Sequence, residues 1–467
     1  QRFHASAPTA RLDIEASLEP SARTPPVSGQ SVAVEDWVVT GPLRVTNHKP
    51  GRYDTGELPV VSLATRLRWA GGELAFSDLD LRLPGDGRVV GEASWQAPAM
   101  DRPGNGQLRS ALRVSGVDVR RLDGRAVATA IAGTLALRGD GEAQVLDADL
   151  RDKKLALRLK ARHGAGLLQV DEAVVKAEAA RLELSGKLAL EGAGAFEARG
   201  RLSRFDPHAF AVAAPPADLN ADFSLRGQRS PALAGKLDFE LAQSRFEGKA
   251  LSGKGALVLE GNRLAAADVA VDLAGNRLAA KGAYGRVGDA LEIHVDAPAL
   301  AALGHGLGGR LRADGVLRGT PAQPAGEFDV QGQRLAAGGM FIDSVIGRGR
   351  VAEGKAGTLA LNLDVSGVRK GDEDALLQKA SLVFDGTRAR NTLRLDVDGL
   401  RGHALSTRLS GGLTDGPGWA GQLESLEVKG AFPVKLLAPA PLQLSQDRVS
   451  LGDRKSTRLN SSHITIS

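Results

Sequence analysis

Arg181-Leu182-Glu183-Leu184-Ser185-Gly186-Lys187-Leu188-Ala189-Leu190 is the stretch that decides the fold. Leu182, Leu184, Leu188 and Leu190 fall on one parity, while Glu183, Ser185 and Lys187 fall between them. A period of two presents apolar side chains to one face of a strand and polar ones to the other. The same rhythm returns at Leu155/Leu157/Leu159, Leu237/Phe239/Leu241, Val269/Val271/Leu273, Leu291/Ile293/Val295, Leu359/Leu361/Leu363/Val365 and Leu405/Leu409/Leu413. Repetition over most of a chain predicts an all-β protein built as one long, repetitive antiparallel sheet with few short helices. A flat sheet of that extent is unfavourable, so it is expected to twist and curl into an elongated open trough.

Composition agrees with a thin apolar surface. The 467 residues include 58 glycines but only 4% aromatics, which leaves little material for a deep core. There is no cysteine, so disulfides and thiolate metal sites are excluded. The formal charge of +5 is spread over single Arg and Lys positions on the polar parity, without the basic patch and stacking aromatics of a nucleic-acid binder. No apolar run reaches the roughly 18 residues that would cross a bilayer as a helix. The chain begins at Gln1, which leaves room for an anchor or signal ahead of it.

Three regions are expected. Residues 1–34 form a partly irregular edge, with a strand candidate at Leu12–Leu18 and a turn region at Pro20, Pro25 and Pro26. Residues 35–452 form a continuous β-groove region. At roughly 12–15 residues per strand and turn it holds about 30–37 strands. Early strands are expected at Trp37–Thr40, Leu43–Thr46, Val60–Trp69 and Leu74–Leu83. From Asp453 the rhythm stops, and residues 453–467 resemble the in-frame translation of a sequencing adapter, with no fold of their own expected.

Turn chemistry punctuates the sheet. Asp-Gly pairs at Asp86, Asp123, Asp140, Asp314, Asp385 and Asp415 favour tight hairpins, as do Gly261-Asn262 and Gly275-Asn276. Asp314-Gly315 sits within alternation and reads equally as a bulge inside a strand. Pro207–Ala213 and Ala297–Leu303 are expected as helices of about two turns. Asp171–Ala180 reads as strand and turn.

No catalytic constellation emerges. The eight histidines have no metal-binding spacing, and His294 falls on the polar parity between Ile293 and Val295. No nucleophile elbow, phosphate loop or dinucleotide fingerprint occurs. Asp268, Asp272 and Asp296 fall on solvent-facing positions, and Arg138-Gly139-Asp140 reads as a turn with a neighbouring arginine. No catalytic, cofactor-binding or metal residue is expected, and the chain is not expected to be an enzyme.

Two segments carry a repeated form of strand, Gly/Pro turn and Gly-containing strand: Gly308–Phe328, and Leu219–Phe239 with Leu225, Gly227, Pro231, Leu233 and Gly235. With Gly41-Pro42-Leu43-Arg44-Val45-Thr46-Asn47, Pro50-Gly51, Asp54, Leu58-Pro59 and Leu67-Arg68-Trp69, and with Leu202-Ser203-Arg204-Phe205-Asp206-Pro207, these resemble the middle of the long periplasmic region of the TamB family, in the AsmA-like group. The likeness covers roughly residues 35–450. It implies a periplasmic protein of a diderm bacterium, anchored to the inner membrane through an N-terminal helix outside this stretch. It further implies a barrel-type (TamA-like) outer-membrane partner, engaged through a C-terminal region also outside it.

The resemblance implies carriage of glycerophospholipids between the two membranes, with phospholipid acyl chains on the apolar face. Assembly of outer-membrane β-proteins and a passive β-repeat scaffold are the alternatives. The expected lining is Leu182, Leu184, Leu188, Leu190, Leu237, Phe239, Leu241, Leu257, Leu259, Val269, Val271, Leu273, Leu291, Ile293, Val295, Leu359, Leu361 and Leu363. Each would instead pack against a facing sheet if the fold were a closed solenoid or sandwich.

Overall fold

The computed structural model describes residues 2–7, 10–15, 17–20, 37–98, 106–139, 143–354, 356–371, 375–400, 402–414, 418–445 and 449–452. The fold is all-β. The chain divides into two compact units, Gln1–Gly248 and Lys249–Ser467, so the expected continuous region spans both. The adapter-like segment 453–467, Pro25 and Pro26, and the pairs at Asp140 and Asp415 lie outside the described residues.

The first unit opens with β1 (Arg2–Ala7), β2 (Ala10–Glu15), β3 (Ser17–Pro20) and β4 (Trp37–Asn47). It continues through β5 (Ser62–Ala70), β6 (Glu73–Arg82), β7 (Arg88–Gln96) and β8 (Gln107–Val117) to the one-turn helix α1 (Val119–Leu122). Then follow β9 (Ile131–Gly139), β10 (Ala143–Arg151), β11 (Leu155–Gly164), β12 (Leu167–Ala177), β13 (Ala180–Ala189), β14 (Phe196–Phe205), β15 (Ala217–Gln228) and β16 (Ala234–Phe246). From β4 to β16 each strand pairs antiparallel with the next.

Trp37–Thr40 and Leu43–Thr46, expected as separate strands, are the two halves of β4. Its first half pairs with β3 and its second with β2, leaving Gly41 and Pro42 between these partners. Proline has no ladder donor, and the gap is where one is not needed.

The second unit comprises β17 (Lys249–Glu260), β18 (Arg263–Leu273), β19 (Asn276–Tyr284), β20 (Ala290–Ala297), β21 (Gly308–Thr320), β22 (Gln323–Ala337) and β23 (Met340–Val351). It ends with β24 (Thr358–Lys370), β25 (Ala375–Thr387), β26 (Asn391–Asp398), β27 (Ala404–Leu413), β28 (Gly418–Lys429), β29 (Val434–Lys435), β30 (Ala440–Ser445) and β31 (Val449–Leu451). Sequential antiparallel pairing runs from β17 to β28, which then pairs with both β29 and β30. Among the described residues all strands belong to one sheet, and no pairing joins the first strand of either unit to its last, so the sheet closes on itself in neither.

Gly261-Asn262 makes the expected turn between β17 and β18, where Gly261 supplies a φ of 60° that a side chain would resist. Asp314-Gly315 and Asp385-Gly386 instead lie within β21 and β25. Asp314 stays in register with His294 on one side and Asp329 on the other, so it is plain strand rather than turn or bulge. Cross-strand pairing on both sides outweighs the local turn preference there.

The two expected helices shrink to single 3-10 turns at Pro207–Ala209 and Leu300–Leu303. The Asp206 carboxylate caps the first by accepting from His208 N at 3.0 Å, but Ala211 is drawn into a β-bridge with Ala126. Ala297 belongs to β20, opposite Leu311, and Gly304 ends the second turn at φ 76°.

Candidate functional site

Residues directly opposed across an antiparallel pair share a face, so the registers trace the apolar surface strand by strand. In the first unit one row runs Val175–Leu182–Leu202–Ala221–Leu241, the next Ala173–Leu184–Gly200–Phe223–Phe239, and a third Leu168–Leu188–Phe196–Gly227–Gly235. In the second unit Val269, Ala280, Ile293, Gly315, Phe328, Gly349, Leu361, Phe384, Leu393, Leu409 and Leu423 form one row across eleven strands. Beside it run Val271, Leu278, Val295, Ala313, Val330, Gly347, Leu363, Leu382 and Leu395.

The residues expected to line a groove therefore fall on strands of one apolar face in each unit, with one exception. Leu190 lies past the end of β13, 45% exposed, because β13 stops where the chain turns toward β14. Leu291 and Leu359 are the buried members, at 8% and 7% exposure, and Leu259 is exposed. The remaining expected residues are half-buried. Phe196, Leu202, Phe223, Phe328, Leu382 and Phe384 belong to the same faces but were missed. Gly200 interrupts the alternation between Phe196 and Leu202, and Gly186, Gly315 and Gly349 likewise hold positions on these faces without contributing an apolar side chain.

Two of those glycines, Gly200 and Gly349, have a purpose that only the register reveals. A β-carbon on Gly200 would stand 2.3 Å from Cζ of Phe223, and one on Gly349 would stand 2.2 Å from Cε1 of Phe328. Each ring lies over its glycine partner and fills the missing side-chain volume. At the end of the second unit Trp419 packs with Leu409, Leu423 and Leu442, and its indole N–H donates to Asn391 Oδ1 at 2.7 Å.

In the first unit the sheet curls toward this face. Leu122 of α1 folds onto Val89, Val114 and Val117, and Phe210 stacks on Phe205 at 5.1 Å between ring centroids. The loop after β8 then meets the loop after β14: Val127 N donates to Phe210 O at 3.2 Å, and Val212 N to Arg125 O at 3.3 Å. The loop after β4 joins them through Gly124 N, which donates to Asp54 Oδ1 at 3.1 Å. Strands β9 and β14 are five places apart, about 24 Å in a flat sheet, so this clasp requires curvature.

The opposite face is charged and cross-paired. Arg88 grips Asp80 with two hydrogen bonds of 2.7 and 3.0 Å, and Arg201 meets Asp222 at 2.7 Å across β14 and β15. Arg88 holds the Asp80 carboxyl below the ordinary carboxylate range. His294 lies on this face, hydrogen-bonded to Asp314, whose carboxyl it lowers; Arg348 meets Asp329 at 2.5 Å. Asp268 and Asp296 are exposed and Asp272 is half-buried, 3.2 Å from Arg277. Among the described residues no cluster of three metal-ligating side chains occurs, and no helix is long and apolar enough to cross a membrane.

Residues 123–452 match the family model described as TamB, N-terminal domain. The chain belongs to the TamB family. The match begins at Asp123, next to α1, and runs through β9–β31, so it takes in β9–β16 of the first unit and every strand of the second. The matched TamB model describes an N-terminal domain, whereas the sequence motifs had pointed to the middle of the family's periplasmic region. No curated protein and no solved structure matches the chain.

Proposed function

We propose that this chain is part of a non-enzymatic periplasmic bridge that carries glycerophospholipids between the inner and outer membranes along its apolar face. Membership of the TamB family supports a periplasmic role in lipid transport or protein assembly. The observation that favours lipid is the state of the apolar face. Its rows continue from strand to strand within each unit, yet among the described residues no large side chain is more than 98% buried. A closed sandwich or solenoid of this size would bury its leucines completely. Here they stay half-open, as a surface awaiting apolar cover does.

Acyl chains supply that cover without specific polar contact, each buried methylene contributing about 0.8 kcal/mol. The lipid headgroup stays in water. On this reading the full-length protein is held in the inner membrane and meets an outer-membrane barrel partner.

The test is site-specific photo-crosslinking in cells, in the full-length protein, at positions 188, 271 and 361, with outward controls at 187 and 272. Phospholipid adducts confined to the inward positions are expected. Their absence from both sets, in folded and expressed protein, would replace the lipid path with the assembly role or a passive scaffold.

A further inference from the structure

The polar face of the first unit holds a depression of about 810 Å³ spanning β6 to β10. Its floor departs from the charged pattern around it: Ala75, Ala111 and Ala136 occupy positions that face water, together with Val145. Its charged lining is Glu73, Glu92, Arg109 and Arg138. Arg109 and Arg138 are directly opposed across β8 and β9, an unfavourable juxtaposition of like charges.

Some charges on this face are paired, as Arg88 is with Asp80, Arg158 with Asp149 and Arg162 with Asp171. Among the described residues none of the four charges in the depression has an ion-pair partner. Glu92 faces Ala111, two residues along β8 from Arg109, so it is a diagonal cross-strand neighbour of Arg109, roughly 7–8 Å away.

We propose that this depression binds a zwitterion carrying a phosphate group beside a primary ammonium, with the phosphate on Arg109 and Arg138 and the ammonium at Glu92. Two guanidinium forks match phosphate oxygens and relieve the arginine–arginine repulsion. Glu92 and Glu73 oppose a plain anion, so the amine sets the specificity. A phosphoethanolamine group has this chemistry, whether free or as the headgroup of a bilayer lipid. The site lies on the face opposite the acyl path and does not depend on it.

The test uses the whole chain, with calorimetric titration of O-phosphoethanolamine and of inorganic phosphate. In a parallel arm the chain is floated with phosphatidylcholine vesicles, with and without phosphatidylethanolamine. O-phosphoethanolamine is expected to bind about tenfold tighter than phosphate, and the double variant Arg109→Gln/Arg138→Gln to lose about tenfold or more. Glu92→Gln is expected to erase the preference for the amine. Arg113→Gln, a polar-face arginine of β8 outside the depression, is the matched control and is expected to change neither. Binding to the free compound assigns a soluble source; binding only to vesicles with phosphatidylethanolamine assigns a headgroup. No binding in either arm by protein of native circular dichroism overturns the proposal. So does binding that the double variant leaves intact, or an equal affinity for phosphate.

Discussion

Phe223 lies across Gly200, its cross-strand partner, so closely that a β-carbon on the glycine would stand 2.3 Å from the ring. Phe328 and Gly349 repeat the arrangement in the second unit. A small residue and a large one share one volume, which keeps the apolar face continuous where the sequence has a gap.

Gly200→Ala and Gly349→Ala should therefore each destabilise by about 1–3 kcal/mol, since the ring must leave its place. Phe223→Ala in the Gly200→Ala background should recover part of the loss, because the two substitutions act on one space. Thermal melts of the single and double variants measure this. Strict additivity would show that ring and glycine do not interact.

Leu188→Asp and Val271→Asp place a charge on the apolar face, whereas Lys187→Asp reverses one on the polar face. The first two should lower lipid crosslinking at position 361 by about tenfold, from the cost of passing a hydrocarbon chain over a carboxylate. Lys187→Asp should leave it unchanged. Equal losses from inward and outward substitutions would rule out a path along the apolar face.

Asn391 holds the end of the second unit by three contacts. Its carbonyl accepts from Trp419 Nε1 at 2.7 Å, and its amide donates to Thr387 O at 2.9 Å and Arg388 O at 3.4 Å. Asn391 and Trp419 are only 4% and 8% exposed, so Asn391→Ala strands a buried indole N–H. A loss of about 1–3 kcal/mol is expected, with a shift in tryptophan emission. Unchanged denaturant unfolding would mean that water reaches the indole.

The loop clasp of the first unit should respond to substitution and to acid. Val127→Pro removes the donor to Phe210 O and should speed hydrogen exchange in residues 123–130 and 206–214 together. Exchange that rises in only one loop would show that the two do not support each other.

Asp123, hydrogen-bonded by the Arg125 side chain, has its carboxyl lowered from 3.8 to about 2. A lowered folded value means that its contribution is complete above about pH 4 and lost as pH falls through about 2. Asp123→Asn should remove that acid-dependent step from the exchange profile of the loop.

The strands were legible because alternation is local. Leu182, Leu184 and Leu188 declare an inward parity within a single strand, and β13 then inherits its neighbours through short turns. Asp314-Gly315 was misread as a turn or bulge because dipeptide preference is also local, while the pairs with His294 and Asp329 that hold it straight are 20 and 15 residues away. Phe223 and Gly200 escaped notice for the same reason: neither position signals the other until the register of β14 on β15 is set.

By itself, then, the sequence determined an all-β chain with one apolar and one charged face, since side-chain parity follows from the pleat of each strand. Only the tertiary structure decided the division at Gly248, the pairing of rings with glycines, and the meeting of Val127 with Phe210. These depend on twist and curl accumulated over many strands, and no stretch of ten residues encodes that sum.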